Sequence, residues 1–108
     1  MDVKLLTVEE IAVFQVNGEI NISTSPDLKK HFEKQPLKKV VVNLEKVTYI
    51  DSSGLATLVE MLKKTRSQGG ALGLAGMSDK VKSLFEITKL DKLFSIFASQ
   101  DEAVSKIK

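Results

Sequence analysis

Apolar and polar positions follow two periods along this chain, one fitting strands and the other helices. Lys4–Thr7 and Ile11–Val16 fit two strands joined by a short turn at Glu9-Glu10, an antiparallel pair. Gly18 is expected to end the second strand. Ser25-Pro26 then marks a helix start, with Pro26 in the first turn and Asp27 near the positive end. Leu28 and Phe32 would face the core, and Pro36 stops this helix. Val40-Val41-Val42-Asn43-Leu44 is β-branched and almost unbroken, as in a strand covered on both faces.

In Val47-Thr48-Tyr49-Ile50-Asp51-Ser52-Ser53-Gly54 a buried-looking strand runs into an acidic residue, two hydroxyls and a glycine, and then the next helix begins. Leu55, Leu58, Val59 and Leu62 form its apolar face, with Thr57, Glu60, Lys63 and Lys64 opposite. Glu60 and Lys64 are spaced for a favourable i,i+4 pair. Gly69-Gly70 ends the helix, and Ala71–Ala75 reads as a short strand. Gly76 leads into a helix capped by Ser78, with Val81, Leu84 and Phe85 inward. Phe94–Phe97 is a last strand, and Ser99-Gln100-Asp101-Glu102 is a capping box for a terminal helix bearing Val104 and Ile107.

The predicted order is β-β-α-β-α-β-α-β-α: one α/β domain over residues 1–108, with about five strands and four helices. Right-handed β-α-β units make the sheet mixed, its first strand being the antiparallel member. Loops after the C-terminal ends of parallel strands gather at one edge, where partners bind. Here those loops are Gly18–Thr24, Thr48–Ser52 and Gly76–Ser78.

Composition removes whole classes of chemistry. The 108 residues are 43% hydrophobic and 28% charged, an ordinary globular balance, and bury roughly two-thirds of the unfolded surface. Net charge is +2, from 16 basic against 14 acidic residues, and Arg66 is the only arginine. Without clustered arginine and stacking rings, nucleic-acid binding is not expected. Cysteine is absent and His31 is the only histidine, which excludes disulfides, thiolate catalysis and polyhistidine zinc sites within one chain. No signal peptide is visible around Asp2, Lys4, Glu9 and Glu10, and no apolar run approaches the ~20 residues that span a bilayer. A cytoplasmic location without membrane insertion is the expectation.

Asp51-Ser52-Ser53-Gly54 carries the candidate chemistry. Its plainest role is a helix cap, since Asp and Ser side chains satisfy orphan amides for ~1 kcal/mol. A nucleophilic serine needs a base and a residue to orient it. Only His31 is available, on the lysine-rich stretch Lys29-Lys30-His31, and there is no Gly-x-Ser-x-Gly elbow. Gly69, Gly70, Gly73 and Gly76 match neither Gly-x-Gly-x-x-Gly nor a P-loop. Asp51, Glu19 and Glu45 are scattered carboxylates of the kind usually solvated, so neither cofactor nor metal is expected. A serine at a helix N-terminus can also carry a phosphate, which the helix dipole stabilises. Local chemistry does not choose between Ser52 and Ser53.

Taken whole, the chain resembles the STAS domain, and within it the bacterial anti-sigma factor antagonists. The resemblance rests on Gly18-Glu19-Ile20-Asn21, Val40–Leu44, Ile50-Asp51-Ser52-Ser53-Gly54-Leu55, and Val81 with Leu84-Phe85, Leu90 and Phe94. The Asp-Ser-Ser-Gly-Leu match after the third strand is the specific one. The resemblance implies a partner-switching protein without catalysis. Its unmodified form binds an anti-sigma factor serine kinase and frees the sigma factor. Phosphorylation of the serine after the aspartate, here Ser52, abolishes binding, and a PP2C-type phosphatase resets the system. The expected partner surface is the Asn21–Thr24 loop, the Ser52–Leu55 turn, the exposed face of the following helix and Met77-Ser78, with Asn21, Ser23, Thr24, Asp51, Ser52, Ser53, Gly54, Leu55, Met77 and Ser78 as its residues.

Two positions depart from the family pattern. Asn21 replaces a frequent aspartate, which bears on partner choice, and Lys89 stands where a turn glycine is common. A left-handed backbone at Lys89 would cost ~1 kcal/mol. The alternative reading is a STAS scaffold in another assembly, such as an accessory subunit of a lipid-transport ATPase, with Ser52 serving only as a cap.

Overall fold

The computed structural model describes residues 1–108. Strands β1 (Asp2–Val8), β2 (Ile11–Ile20), β3 (Lys39–Ile50), β4 (Ala71–Ala75) and β5 (Ser95–Phe97) alternate with helices α1 (Ser25–Lys34), α2 (Ser52–Ser67), α3 (Asp79–Ile87) and α4 (Gln100–Ile107) in the expected order. The sheet order is β1-β2-β3-β4-β5. Only the β1/β2 pair is antiparallel; the other pairs are parallel.

Alternation along the strands divides the core in two. Ala12, Phe14 and Val16 of β2, with Val40, Val42 and Leu44 of β3, point toward Leu28, Phe32, Leu58, Met61, Val81 and Phe85 of the first three helices. Ile11, Val13 and Val41 point the other way, against Ala103 and Val104 of α4. Helices on both faces explain the unbroken apolar run of β3. On the same side of the sheet, Phe85 of α3 and Phe94, just before β5, meet edge-on with centroids 5.7 Å apart.

The sequence expectations need correction at four places. β2 does not stop at Gly18 but runs through it to Ile20, with Gly18 at φ 106°. Val40–Leu44 and the strand that runs into Asp51 are one strand, β3, which ends at Ile50 rather than giving way to a loop at Thr48; two register shifts against β2 add residues to it. Those shifts let Leu44, Val47 and Ile50 all face the main core despite their three-residue spacing. Thr57 is buried rather than solvent-facing, along with Met61 and Thr65, because α2 packs on α1 as well as on the sheet. Glu60 does not pair with Lys64; its carboxylate lies 3.1 Å from Lys29 Nζ on α1. Lys89 does sit in the left-handed region, at φ 62°.

Candidate functional site

The end of β2 and the end of β3 finish side by side, Ile20 opposite Ile50. Two turns therefore emerge together, Asn21–Thr24 leading to α1 and Asp51–Gly54 opening α2. Each is built by its own polar side chains. Asn21 Oδ1 accepts from the backbone N–H groups of Ser23 at 2.9 Å and Thr24 at 3.2 Å. Thr24 Oγ1 donates to the Glu19 carbonyl at 2.9 Å and accepts from the Asn21 N–H at 2.8 Å. This role of Asn21 requires only one acceptor oxygen, which an amide supplies as well as a carboxylate would.

Asp51 joins the two turns. It is the N-cap of α2, where Oδ1 accepts from Gly54 N–H at 2.9 Å, while Oδ2 accepts from Ile22 N–H at 3.1 Å. Its own N–H donates to the Ile20 carbonyl at 3.1 Å. Gly54 is fixed by a different constraint. A Cβ there would lie 2.5 Å from the Ile20 carbonyl oxygen and 2.7 Å from Ile50 Cγ2, so the backbones approach too closely for any side chain.

Ser52 is exposed at the first position of α2, and Ser53 is half-buried behind it. With Gly54 N–H held by Asp51, the Ser52 and Ser53 amides remain the open donors of this helix end. The first turn carries no acidic side chain of its own. Such an end accommodates an anion on Ser52 Oγ through its dipole and free amides.

The other expected residues divide by burial. Ser23 is exposed, and Asn21 and Thr24 are half-buried with their polar atoms inside the turn. Leu55 is only 8% exposed and belongs to the core, and Gly54 is buried. Both shape the turn from beneath and offer no outer contact in the free chain. Ser78 caps α3, its Oγ accepting from Val81 N–H at 3.2 Å, and Met77 packs partly on the core. No hydrogen bond ties Met77 or Ser78 to the other two turns. Asn43 is the last β3 residue paired with β4, and β3 continues beyond it; besides the core packing of Val81 and Phe85, Lys80 Nζ of α3 lies over the Tyr49 ring, 5.5 Å from its centroid.

His31 Nδ1 lies 2.8 Å from the Asp27 carbonyl of its own helix and makes no contact with Ser52. No three acidic or histidine side chains converge. No helix is long and apolar enough to cross a membrane. Ile22 lies inside the expected Asn21–Thr24 contact loop without being singled out there, and it is 73% exposed. Its one sequence signal is an apolar residue set among Asn21, Ser23 and Thr24, outside both periods.

Comparison with known proteins agrees with this architecture. The anti-sigma-B factor antagonist of Listeria monocytogenes is 35% identical over 99 residues, covering 89% of this chain and 86% of the relative. The Staphylococcus aureus protein of the same name is 31% identical, covering 89% of this chain and 92% of the relative. The crystal structure of a candidate anti-sigma factor antagonist from Thermotoga maritima superimposes with a TM-score of 0.92 at 28% identity, over 97% of this chain and 93% of that one. The STAS domain family model matches residues 2–103, and the chain belongs to that family.

Proposed function

We propose that this chain is an anti-sigma factor antagonist switched by phosphorylation of Ser52. Unphosphorylated, it binds an anti-sigma factor serine kinase through the Asn21–Thr24 and Asp51–Ser53 turns and releases the sigma factor. Phosphorylated, it lets go, and a PP2C-type phosphatase restores it. The chain itself performs no catalysis in this scheme. The observation that carries the reading is the exposed Ser52 at the start of α2, beside a carboxylate already bonded to two amides. The names of the Listeria and Staphylococcus relatives support the same class.

A phosphate adds roughly −1.5 to −2 charges, which the helix end stabilises in place. One added charge about 8 Å from a partner carboxylate costs about 2 kcal/mol at an effective dielectric of 20. Two such charges weaken binding by well over a hundredfold. Release therefore needs no refolding of residues 48–56, and a rearranged backbone there in a phosphorylated crystal would contradict this rigid scheme. The central test is incubation with the source organism's anti-sigma factor kinase and Mg-ATP, read by intact mass. One phosphate is expected, absent in Ser52→Ala and retained in Ser53→Ala. No transfer, together with a stable complex with a lipid-transport ATPase, would replace this reading with a constitutive scaffold.

A further inference from the structure

We propose that Ile22 is the anchor of the Ser52 edge, entering an apolar socket on the anti-sigma factor partner; this rests on the antagonist reading above. Isoleucine is among the residue types most often buried, yet Ile22 is 73% exposed. The turn does not require that side chain for its own order. Asn21 and Thr24 hold the turn by polar bonds, and Asp51 Oδ2 holds the Ile22 N–H at 3.1 Å. An apolar group displayed on a fixed backbone loses little freedom on binding, which is the property of an interface hot spot.

Position distinguishes Ile22 from the other exposed apolar side chains. Leu5 lies on the edge strand β1, and Ile87 ends α3; neither is bonded to the Ser52 turn. Tyr49 shares the Ser52 edge but has Lys80 over its ring. Ile22 alone is tied to the residue preceding the phosphoacceptor. The first turn of α2 carries no acidic group, and both Asp51 oxygens accept hydrogen bonds. The one charge between Ile22 and Ser52 is thus the Asp51 carboxylate, fixed in place by two amides, and this surface suits a socket with an apolar floor and a polar rim. This socket also sharpens the switch, because a phosphate brought beside a buried isoleucine must shed its water as well as face the partner's charges.

The test uses the full chain and the source organism's anti-sigma factor kinase without ATP, with affinity read by calorimetry. Ile22→Ala is expected to weaken binding roughly 10- to 100-fold, as for loss of a fully buried aliphatic side chain. Ile22→Leu should bind within a few-fold of wild type, and both variants should melt as wild type does. Wild-type affinity in Ile22→Ala overturns the anchor while leaving the antagonist reading intact. Failure of the wild-type chain to bind overturns both. A change in the sedimentation of the chain alone on Ile22→Ala also overturns it, since the side chain then belongs to a contact between copies.

Discussion

The Asp51–Gly54 turn and the Glu9–Glu10 hairpin both carry acidic residues, and they are held in opposite ways. At Asp51–Gly54 the carboxylate is part of the structure: one oxygen closes the first turn of α2 and the other fastens the neighbouring loop through Ile22 N–H. At Glu9–Glu10, between β1 and β2, both residues sit in the left-handed region at φ 50° and 67°. There Glu9 reaches Lys108 Nζ at 3.1 Å on the exposed surface, and Glu10 has no side-chain partner. Such a two-residue hairpin favours Asn-Gly, so the paired strands impose a backbone that the Glu-Glu sequence resists. The first turn is specified by its side chains, the second by the strands around it. Rigidity is concentrated where the proposed partner binds, and strain is tolerated at the hairpin.

Gly54→Ala breaks the specified turn most directly. The new Cβ would meet the Ile20 carbonyl oxygen at 2.5 Å, and a backbone contact cannot rotate away. A loss of roughly 3 kcal/mol in urea denaturation is expected, and a loss below about 1 kcal/mol would mean the two turns separate easily. Next is Asp51→Ala, expected to cost about 2 kcal/mol by removing a cap and a second charge-assisted bond. Asp51→Asn should cost nearly as much. Gly54 N–H and Ile22 N–H each bond a different Asp51 oxygen, and the amide would turn an NH2 donor toward one of them. Near-wild-type stability in Asp51→Asn would show that one of these bonds contributes little.

This contrast also separates what could be read in advance from what could not. Local signals were sufficient for the Ser99 and Ser78 caps, the Pro26 start of α1 and the bounds of β4. Asp51 was legible as a cap, but its bond to Ile22 N–H joins residues 29 positions apart and has no local trace. Gly54 is legible only as part of the Asp51-Ser52-Ser53-Gly54 cap, and its need to be glycine comes from Ile20 on another strand. The strand character of Val47–Ile50 was legible, but its continuity with Val40–Leu44 was hidden, because Leu44, Val47 and Ile50 share one face only through register shifts against β2. Burial of Thr57 likewise follows from the packing of α2 against α1. Ile22 stands out only once its exposure is known.

The strained turn yields an effect of opposite sign. Glu10→Gly relieves a left-handed residue without touching the Glu9–Lys108 pair. It should stabilise the chain by about 1 kcal/mol, the left-handed penalty partly offset by the added freedom of the unfolded chain. An unchanged or lower urea midpoint would show that this hairpin is not under strain. Its affinity for the anti-sigma factor kinase should not change, because this turn lies at the opposite end of β2 from Asn21.

The smallest effect belongs to Glu60→Gln, which asks whether helix pairing contributes to the rigidity of the Ser52 edge. Lys29 has a pKa raised above its ordinary value of 10.5, first by its hydrogen bond to Glu60, then by the charges of Glu60 and Glu33. A raised lysine pKa contributes stability that is fully present below the ordinary value and lost as pH rises through the raised one. Both side chains are about half exposed, 47% and 58%, so water and salt screen the pair strongly. Glu60→Gln should therefore lower the melting temperature slightly and by a constant amount from neutral to mildly alkaline pH. The gap should close only above pH 10.5. A loss as large as that of Asp51→Ala would transfer the rigidity of this edge from the Asp51 carboxylate to the contact between α1 and α2.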